Sequence, residues 1–292
     1  MPRNPSPLSR PSLSPKPAIF FNRPFPFHIF SQKKGITLVA AIMLMTFMAT
    51  AVVMTSVFVI AQIEQTRTRE MSAQAIELAQ AGVSRAIYDY RTREAQGIEG
   101  YFSLGQQNVD ANNYFVVGGH AGDFLAVNVS GTAVAGNMIS GVWAQNVTNS
   151  SIKTNWMLLT WNDPNRILNC IYYNGGRIWP TGNPSSCNGS AASGAWVNIL
   201  DQTFPGGDNP KEFQFTWDGN MSATTVTATF WMTDGTFRTI QIFPATNNFS
   251  FTVRSTGKPQ GAGNLYRSVR ADYNILTSTI QKYDEINEAI AP

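Results

Sequence analysis

Residues able to do chemistry are few in this sequence, and their spacing favours a structural role over catalysis. The only two cysteines, Cys170 and Cys187, are separated by a segment rich in Gly, Asn, Ser and Pro. In an oxidising compartment we expect them to form a disulfide, which would stabilise the fold by about 3 kcal/mol by restricting the unfolded chain. Two free buried thiols are the alternative.

Catalytic arrangements lack their partners. The two histidines are His28 and His120, so a Ser-His-Asp or Cys-His arrangement in the body of the chain would depend on His120 alone. Residues 150–153, SSIK, match the S-x-x-K pattern but lack the other elements expected with it. The sequence contains no P-loop and no dinucleotide fingerprint. It therefore predicts a protein that is not an enzyme and has no cofactor.

Metal-ligand patterns are equally incomplete. No CxxC or HxxxH zinc spacing occurs. Three aspartates in turn-like segments, Asp163, Asp208 and Asp218, could contribute to calcium sites, but none belongs to a complete oxygen-ligand loop. Aspartate favours turns on its own account, which explains all three without a metal. We predict no metal site.

Tryptophan is concentrated in the middle of the chain. Five of the seven tryptophans lie between residues 143 and 196. Their rings could stack on sugars or fill a core, and we expect most of them in the core because buried tryptophan supplies a large apolar area. The exception is Trp179, which lies inside the cysteine loop and is the predicted exposed ligand contact.

The segment that precedes this tryptophan-rich part of the chain contains a long run without charges. Residues 36–61 form 26 positions without a charge, a glycine or a proline, and about 20 apolar residues suffice to cross a bilayer. Lys33 and Lys34 precede the run, so the positive-inside tendency predicts a cytoplasmic N-terminus and an external body. The alternative is a secretory signal cleaved at the small residues 49–51, ATA.

Residues 1–35 differ from the rest in composition. They hold eight of the 16 prolines and six of the 21 basic residues, with no acidic residue. Such a segment has little to bury and cannot continue a helix, so we interpret it as a cytoplasmic leader. The remaining 15 basic residues stand against 18 acidic ones without a basic cluster. We therefore expect no nucleic-acid partner.

Helical spacing continues beyond the apolar run. No proline occurs in residues 28–163, and after Gly35 the first glycine is Gly82. Apolar and small residues recur at three- and four-residue intervals through residues 71–90. We predict one uninterrupted helix over residues 36–95, of which the first part crosses the membrane and the second is amphipathic.

The junction between leader and run resembles that of type IV pilins and type II secretion pseudopilins. It is KKG followed by ITLV, residues 33–39. In that family, prepilin peptidase cuts after the glycine on the cytoplasmic side and methylates the new N-terminus. The resemblance implies that the leader is removed and the apolar run is kept, with processing at Lys33, Lys34, Gly35 and Ile36.

Two further stretches resemble the PilX-like minor pilins. Residues 75–82, AIELAQAG, are similar to their A-x-x-x-A-E-A-G stretch, with Gln80 in place of the glutamate. Residues 251–257, FTVRSTG, and 267–271, RSVRA, resemble their last hairpin, in which a strand ending in S-x-G leads to an R-x-V-x-A strand. The middle of the chain carries no such resemblance.

One position departs from the major pilins, which carry a glutamate as the fifth residue of the mature chain. Here that position is Ala40. In this family the carboxylate is thought to meet the cationic N-terminus of a neighbouring subunit, since a lone carboxylate in the bilayer is costly. Its absence implies a tip or initiating subunit, and a chance loss in a major subunit is the alternative. Close packing of helices in the filament core would use Leu38, Ala40 and Ala41.

From about residue 100 the pattern changes to short alternating runs rich in Val, Ile, Thr, Phe and Trp, which is typical of antiparallel β structure. Asp234-Gly235 between two such runs predicts a tight hairpin with positive φ at both turn positions. So many short strands suggest a two-sheet sandwich. The predicted strands are residues 114–118, 124–130, 138–147, 152–161, 167–173, 195–200, 212–217, 224–233, 236–243, 249–255 and 266–275.

The predicted fold class is α+β, with a pilin-like long N-terminal helix packed on an antiparallel sheet and an inserted β-sandwich. We assign the pilin sheet to residues 96–131 and 247–276, and the inserted sandwich to residues 132–246. The C-terminal tail, residues 277–292, is expected to be a short helix or a loose end.

Together these features predict a minor subunit, at the tip or at initiation, of a type IV pilus or type II secretion pseudopilus. It would reside in the inner membrane as a single-pass protein and then in a filament in the periplasm or at the cell surface. Expected partners are other pilins or pseudopilins, prepilin peptidase, the inner-membrane assembly platform, membrane lipid before assembly, and surface glycans. The alternatives are an adhesin or carbohydrate-binding β-sandwich on a permanent membrane stalk and, third, a secreted hydrolase.

Overall fold

The computed structural model describes residues 34–181 and 186–290, and its fold is α+β, as predicted. One long helix, α1, covers Lys34–Ala95. It begins two residues before the predicted start and ends where predicted. The chain divides into two compact units between Ile60 and Ala61. The predicted leader falls almost wholly on residues 1–33, outside the described part of the chain.

The helical part of the first unit exposes its apolar side chains. Every residue from Thr37 to Ile60 is exposed, and the helix is long and apolar enough to cross a membrane by length and composition. Hydroxyl groups in this segment bond back to the helix, as when Thr50 donates to the carbonyl of Thr46 at 2.8 Å. A helix that satisfies its own polar groups in this way is suited to apolar surroundings.

The described residues of the second unit complete α1 and add a short helix and fifteen strands. In chain order these are β1 (Gly105–Asn108), β2 (Tyr114–Gly118), α2 (Ala121–Phe124), β3 (Leu125–Asn128), β4 (Ala133–Ala135), β5 (Met138–Asn146), β6 (Ile152–Trp161), β7 (Leu168–Tyr173), β8 (Gly176–Trp179), β9 (Trp196–Phe204), β10 (Lys211–Trp217), β11 (Val226–Met232), β12 (Phe237–Phe243), β13 (Ser250–Lys258), β14 (Arg267–Asn274) and β15 (Thr279–Ile286).

The strands form three antiparallel sheets. The first has the order β1-β2-β13-β14-β15, the second β3-β5-β10-β7-β8 with β4 also on β5, and the third β12-β11-β6-β9. All strands of the second and third sheets lie in the sequence between β2 and β13, which are paired neighbours in the first sheet. In that pair Gly118 lies opposite Arg254. The chain therefore leaves and re-enters the first sheet at adjacent strands.

The second and third sheets share an aromatic core. The rings of Phe213 in β10 and Phe230 in β11 lie 5.2 Å apart, and those of Trp161 in β6 and Trp217 in β10 lie 5.8 Å apart, edge to face. All four side chains are buried. Each sheet thus has one inward face, which explains the alternation of buried and part-exposed residues along β10 and β11.

Helix α2 connects the first sheet with the third. The backbone N–H of Ala121 donates to Asp234 at 2.8 Å, from the turn between β11 and β12. Burial raises the pKa of the Asp234 carboxyl, but hydrogen bonds from Thr236 and Ala121 outweigh it, and the net shift is downward. On the first sheet, Arg254 Nε lies 2.9 Å from Asp123 Oδ2, with both side chains about 15% exposed. This largely buried ion pair fixes α2 to β13.

The hairpin predicted at Asp234-Gly235 is present, but its turn differs from the prediction. The N–H of Met232 donates to the carbonyl of Thr236 at 2.8 Å, which closes a three-residue loop. Gly235 has a φ of 85°, whereas Asp234 has no positive φ. One glycine in the left-handed region is enough for this longer loop.

Some assignments to sheets were wrong. β3, expected in the sheet that packs on the helix, pairs with β5 in the second sheet. The segment expected to be a short helix or loose end forms β15, which pairs with β14 along the edge of the first sheet. Most β15 residues are exposed, so this edge strand lacks the apolar alternation by which strands are recognised. The short strands β1, β4 and β8 were not predicted either.

Candidate functional site

The predicted processing site falls at the start of α1. Lys33 lies outside the described residues, and Lys34, Gly35 and Ile36 are the first residues of the helix. Cleavage and methylation here stay predictions. The residues predicted to pack in a filament core come directly after them and are exposed: Leu38, Ala40 and Ala41.

Within the second unit, α1 meets the first sheet through residues with little or no side chain. A Cβ atom added at Gly257 would overlap the carbonyl oxygen of Ala75 and lie 2.6 Å from the amide nitrogen of Ala79. A Cβ added at Gly82 would overlap the side chain of Ser255. We call this contact, formed by Ala75, Ala79, Gly82, Ser255 and Gly257, the helix–sheet seam. Glycine is required where two backbones approach this closely.

The helix–sheet seam unites two stretches that are far apart in sequence, residues 75–82 and 251–257. Both stretches contain small residues at the positions that carry the resemblance to minor pilins, and their contact gives a physical reason for those residue types. One helical turn before the seam, Arg267 Nε in β14 donates to the Ser72 hydroxyl at 2.7 Å. The second part of the helix is therefore held by both β13 and β14.

An aromatic cluster continues the contact toward the end of α1. The Phe251 ring lies 5.0 Å from Tyr90, 5.6 Å from Phe102 and 5.3 Å from Tyr273. All four side chains are buried. Burial, reinforced by the nearby carboxylates of the helix end, raises the pKa of the Tyr90 phenol. The phenol is therefore neutral throughout the physiological pH range.

The predicted disulfide between Cys170 and Cys187 is present. The two Cα atoms are 5.4 Å apart, which is within the usual range for a disulfide. Cys170 lies buried in β7, and Cys187 is exposed in the loop. The Arg177 guanidinium donates to the carbonyl of Ser186, beside the bridge. The bridge therefore joins this loop to the second sheet.

Trp179 is not the exposed ligand contact that was predicted. Its side chain is half-buried and packs against the core. A Cβ added at Gly189 would overlap the Trp179 ring, so the loop backbone lies directly against the indole. The residue acts as a packing element for the cysteine loop.

The expectation that most tryptophans are buried in the core was also wrong. Only Trp161 and Trp217 are buried. Trp143, Trp156 and Trp196 are exposed to 42%, 37% and 46%. The remaining two, Trp179 and Trp231, are half-buried.

Three tryptophans meet on the solvent side of the third sheet. Trp156 in β6, Trp196 in β9 and Trp231 in β11 line an open cleft of about 470 Å³. We call these three residues the tryptophan face. The Trp196 and Trp231 rings lie 5.5 Å apart and are nearly perpendicular, at 86°. Alternation along β11 was the sequence signal for this face, because Trp231 shares its side of the strand with Thr227 and Thr229.

The remaining polar candidates have structural partners. His120 Nε2 lies 3.4 Å from a carboxylate oxygen of Glu288. Among the described residues, no group of three or more His, Cys, Asp and Glu side chains is placed to hold a metal ion. Each of the three turn aspartates also has a partner: Asp163 contacts Arg166, Asp208 contacts Lys211, and Asp218 accepts from the backbone N–H of Ile167.

Comparison of the chain with protein-family models, with curated protein sequences and with solved structures finds no match in any of the three. The geometry of the helix, the helix–sheet seam and the tryptophan face is therefore the basis on which a function can be assigned.

Proposed function

We propose that this chain is a minor, tip or initiating subunit of a type IV pilus or type II secretion pseudopilus. The observation that carries the proposal is a single helix with two kinds of surface. Its residues 37–60 are exposed and apolar on every side, whereas residues 75–90 bury one stripe on a sheet. A helix of the first kind needs lipid or other helices around it, and one of the second kind needs only its own domain.

The helix–sheet seam supports the pilin-like part of the proposal. The stretches that resemble minor pilins, residues 75–82 and 251–257, contact each other through Gly82 and Gly257. A resemblance confined to sequence would not require those two stretches to meet. The small residues of both stretches are therefore needed for one and the same packing contact.

The second and third sheets are, in this proposal, an inserted β-sandwich. They share a buried aromatic core and enter and leave at the neighbouring strands β2 and β13. A subunit with such an insertion would be bulkier than the helix and first sheet alone. That bulk suits a tip position, where no neighbouring subunit has to pack ahead of it.

Residues 37–60 give the proposed route to assembly. Before assembly they would lie in the inner membrane, with the N-terminus in the cytoplasm and the β structure outside. In the filament they would pack against the helices of other pilins or pseudopilins by van der Waals contact, at small residues such as Ala40 and Ala41. Prepilin peptidase and the assembly platform are the proposed partners before that step.

Mass spectrometry of the membrane-extracted protein tests the proposal. We expect a mature chain that starts at Ile36 and carries one added methyl group at its N-terminus. Gly35→Val should leave the leader attached and exclude the protein from filaments, whereas Gly131→Val, at an exposed turn with nothing within 4 Å of its Cβ position, should not. An intact leader on the native protein would favour a permanently stalked module instead. A mature chain that starts after residue 51 would indicate an ordinary secretory signal.

A further inference from the structure

The tryptophan face lies in a regular array of side chains on the solvent side of the third sheet. In register across the four strands, Phe237 lies opposite Trp231, Trp231 opposite Trp156, and Trp156 opposite Asn198. Directly opposed residues of antiparallel strands project to the same side. The next row on that side is Thr239, Thr229, Leu158 and Trp196.

The aromatic rings of these rows form a corner. The Trp231 and Phe237 rings are stacked, with 13° between their planes and 5.8 Å between their centroids. Phe237 therefore supports the Trp231 ring and is not one of the residues that line the cleft. Trp196 stands nearly perpendicular to Trp231 and forms one wall. A flat ligand can lie against the Trp231 ring and touch Trp196 with its edge.

The stability of the sheet does not explain this cluster. The Trp156 and Trp196 indoles are 37% and 46% exposed, and Phe237 is 59% exposed. Further along the same side, the positions are held by Thr160, Thr227 and Gln241 in register, which shows that polar side chains are accommodated there. Aromatic rings that stay exposed do not contribute the free energy that burial in a core would supply. A cluster of them on a surface therefore suggests an interaction site.

The surroundings of the cleft indicate an uncharged ligand with polar edges. Among the described residues, the cleft is lined by the three indoles and by no charged side chain. Neighbouring positions of the same two rows carry polar groups, namely the Asn198 amide and the hydroxyls of Thr229 and Thr239, which hydrogen-bond to each other at 2.9 Å. Amide and hydroxyl groups can donate and accept hydrogen bonds. An apolar floor with a few polar groups at its border is the usual composition of a small-molecule site.

A second protein molecule fits these observations poorly. From the exposed fractions of Trp156, Trp196 and Phe237, and about 150–250 Å² for each aromatic side chain, the available aromatic surface is roughly 300 Å². A stable protein interface needs about 800 Å² on each partner.

A quaternary ammonium ion is another possible ligand, because it could contact indole faces. It would not form hydrogen bonds with the neighbouring hydroxyl and amide groups.

We propose that the tryptophan face, with Phe237 stacked against Trp231, binds a neutral pyranose ring of a glycan. The apolar C–H face of the sugar lies on the Trp231 indole, and its edge contacts Trp196. The ring hydroxyls exchange hydrogen bonds with Asn198 and the Thr229–Thr239 pair. The proposal does not depend on the pilus assignment, since the same face would serve a stalked module.

Calorimetric titration of the full chain tests this inference. The protein is held in a detergent without a sugar headgroup and titrated with neutral gluco-, galacto-, manno- and N-acetylglucosamine oligosaccharides, and separately with choline. We expect at least one neutral oligosaccharide to bind and to change the intrinsic tryptophan fluorescence. Trp196→Ala and Trp156→Ala should each weaken that binding by about tenfold or more.

Trp143→Ala is the matched control, because Trp143 is as exposed as Trp196 but lies in β5 of the second sheet. It should leave the affinity within about twofold. Trp196→Phe, which keeps an aromatic wall, should retain part of the binding and guards against a loss caused by misfolding. Absence of binding by every neutral oligosaccharide would overturn the proposal, as would equal loss in the Trp143 variant. Choline binding without sugar binding would also overturn it and indicate a quaternary ammonium ligand. A dimer that is lost in Trp196→Ala would overturn it in favour of a second copy of this chain.

Discussion

The two parts of α1 are built from similar residues but have opposite surroundings. Both contain many alanines and large apolar side chains. In residues 37–60 all of them are exposed, whereas in residues 75–90 those at three- and four-residue spacing are buried. The distribution of apolar residues around a helix, rather than their number, therefore indicates what surrounds it.

The buried stripe also shows a difference in how contact is made. Residues 75–90 contact the first sheet by close backbone approach at Gly82 and Gly257 and by ring contact at Tyr90. Residues 37–60 have no glycine, and their smallest residues are alanines. Each contact of the second part is thus fixed by one specific neighbour, while the first part offers a surface that any apolar neighbour can cover.

The largest expected effect comes from placing a charge in the first part. Met48, near the middle of the apolar run, is 62% exposed. Met48→Asp should oppose membrane insertion by roughly 3 kcal/mol, because a carboxylate at the centre of a bilayer is costly. Gln74→Asp, at an exposed position of the second part, should have no such effect. Carbonate extraction of membranes measures the fraction inserted, and equal extraction of both variants would contradict the comparison.

The helix–sheet seam should give the next largest effect. Gly257→Ala places a methyl group against the backbone of Ala75 and Ala79, which cannot rotate away, and we expect a loss of about 2 kcal/mol in the free energy of unfolding. Gly82→Ala should cost less, since the atoms that it meets belong to the side chains of Ser255 and Phe115 rather than to backbone. Gly131→Ala, with nothing near its Cβ position, is the control. Chemical denaturation followed by tryptophan fluorescence measures all three, and equal losses would show that the seam is not tightly packed.

The smallest expected effect is electrostatic and lies just after α1. Burial, followed by the charges of Asp208 and Glu94, raises the pKa of the Glu99 carboxyl above its usual value of 4.5. The folded state therefore binds the Glu99 proton more tightly than the unfolded state does. The stability that this proton contributes is lost as the pH rises through the folded-state pKa of Glu99. Glu99→Gln should stabilise the protein at pH 7, by less than about 0.5 kcal/mol because of solvent screening.

The same variant should show no advantage at about pH 3, well below the usual value of 4.5, where Glu99 is protonated in both states. Glutamine keeps an acceptor for the Gln145 amide, which donates to Glu99 at 3.0 Å. Denaturation midpoints at the two pH values measure the difference. An advantage that grows as the pH falls would show that the carboxylate is stabilised by its surroundings.

Much of the fold could be predicted because its elements have strong local patterns. β2 and β6 have the predicted bounds, since apolar alternation and flanking turn residues mark both ends of each. The helix could be predicted because nothing in residues 36–81 interrupts it. β15 could not, because its pairing with β14 supplies the hydrogen bonds while its side chains stay mostly exposed. The placement of β3 depends on which strand it pairs with, and the sequence of a single strand does not specify its neighbour.

The candidate site was harder to predict than the fold. Tryptophan is large and apolar, so composition alone favours the core, and that argument was correct for Trp161 and Trp217. It was wrong for Trp156 and Trp196, because strand register overrides residue type. Trp179 was predicted to be exposed from its place in a loop, but the loop folds back on its ring at Gly189. Exposure in a loop depends on tertiary contacts that the sequence does not contain.

The pairing of Gly118 with Arg254 has a consequence for how such chains can diversify. Since the intervening segment leaves and returns on adjacent strands, a longer or shorter replacement can keep the pairing of β2 with β13, provided that it supplies a partner for Arg254, as Asp123 does here. The helix and its sheet could therefore serve as a constant carrier on which different cassettes are exchanged. A change of cassette would alter what the protein meets in its environment and leave its anchoring untouched.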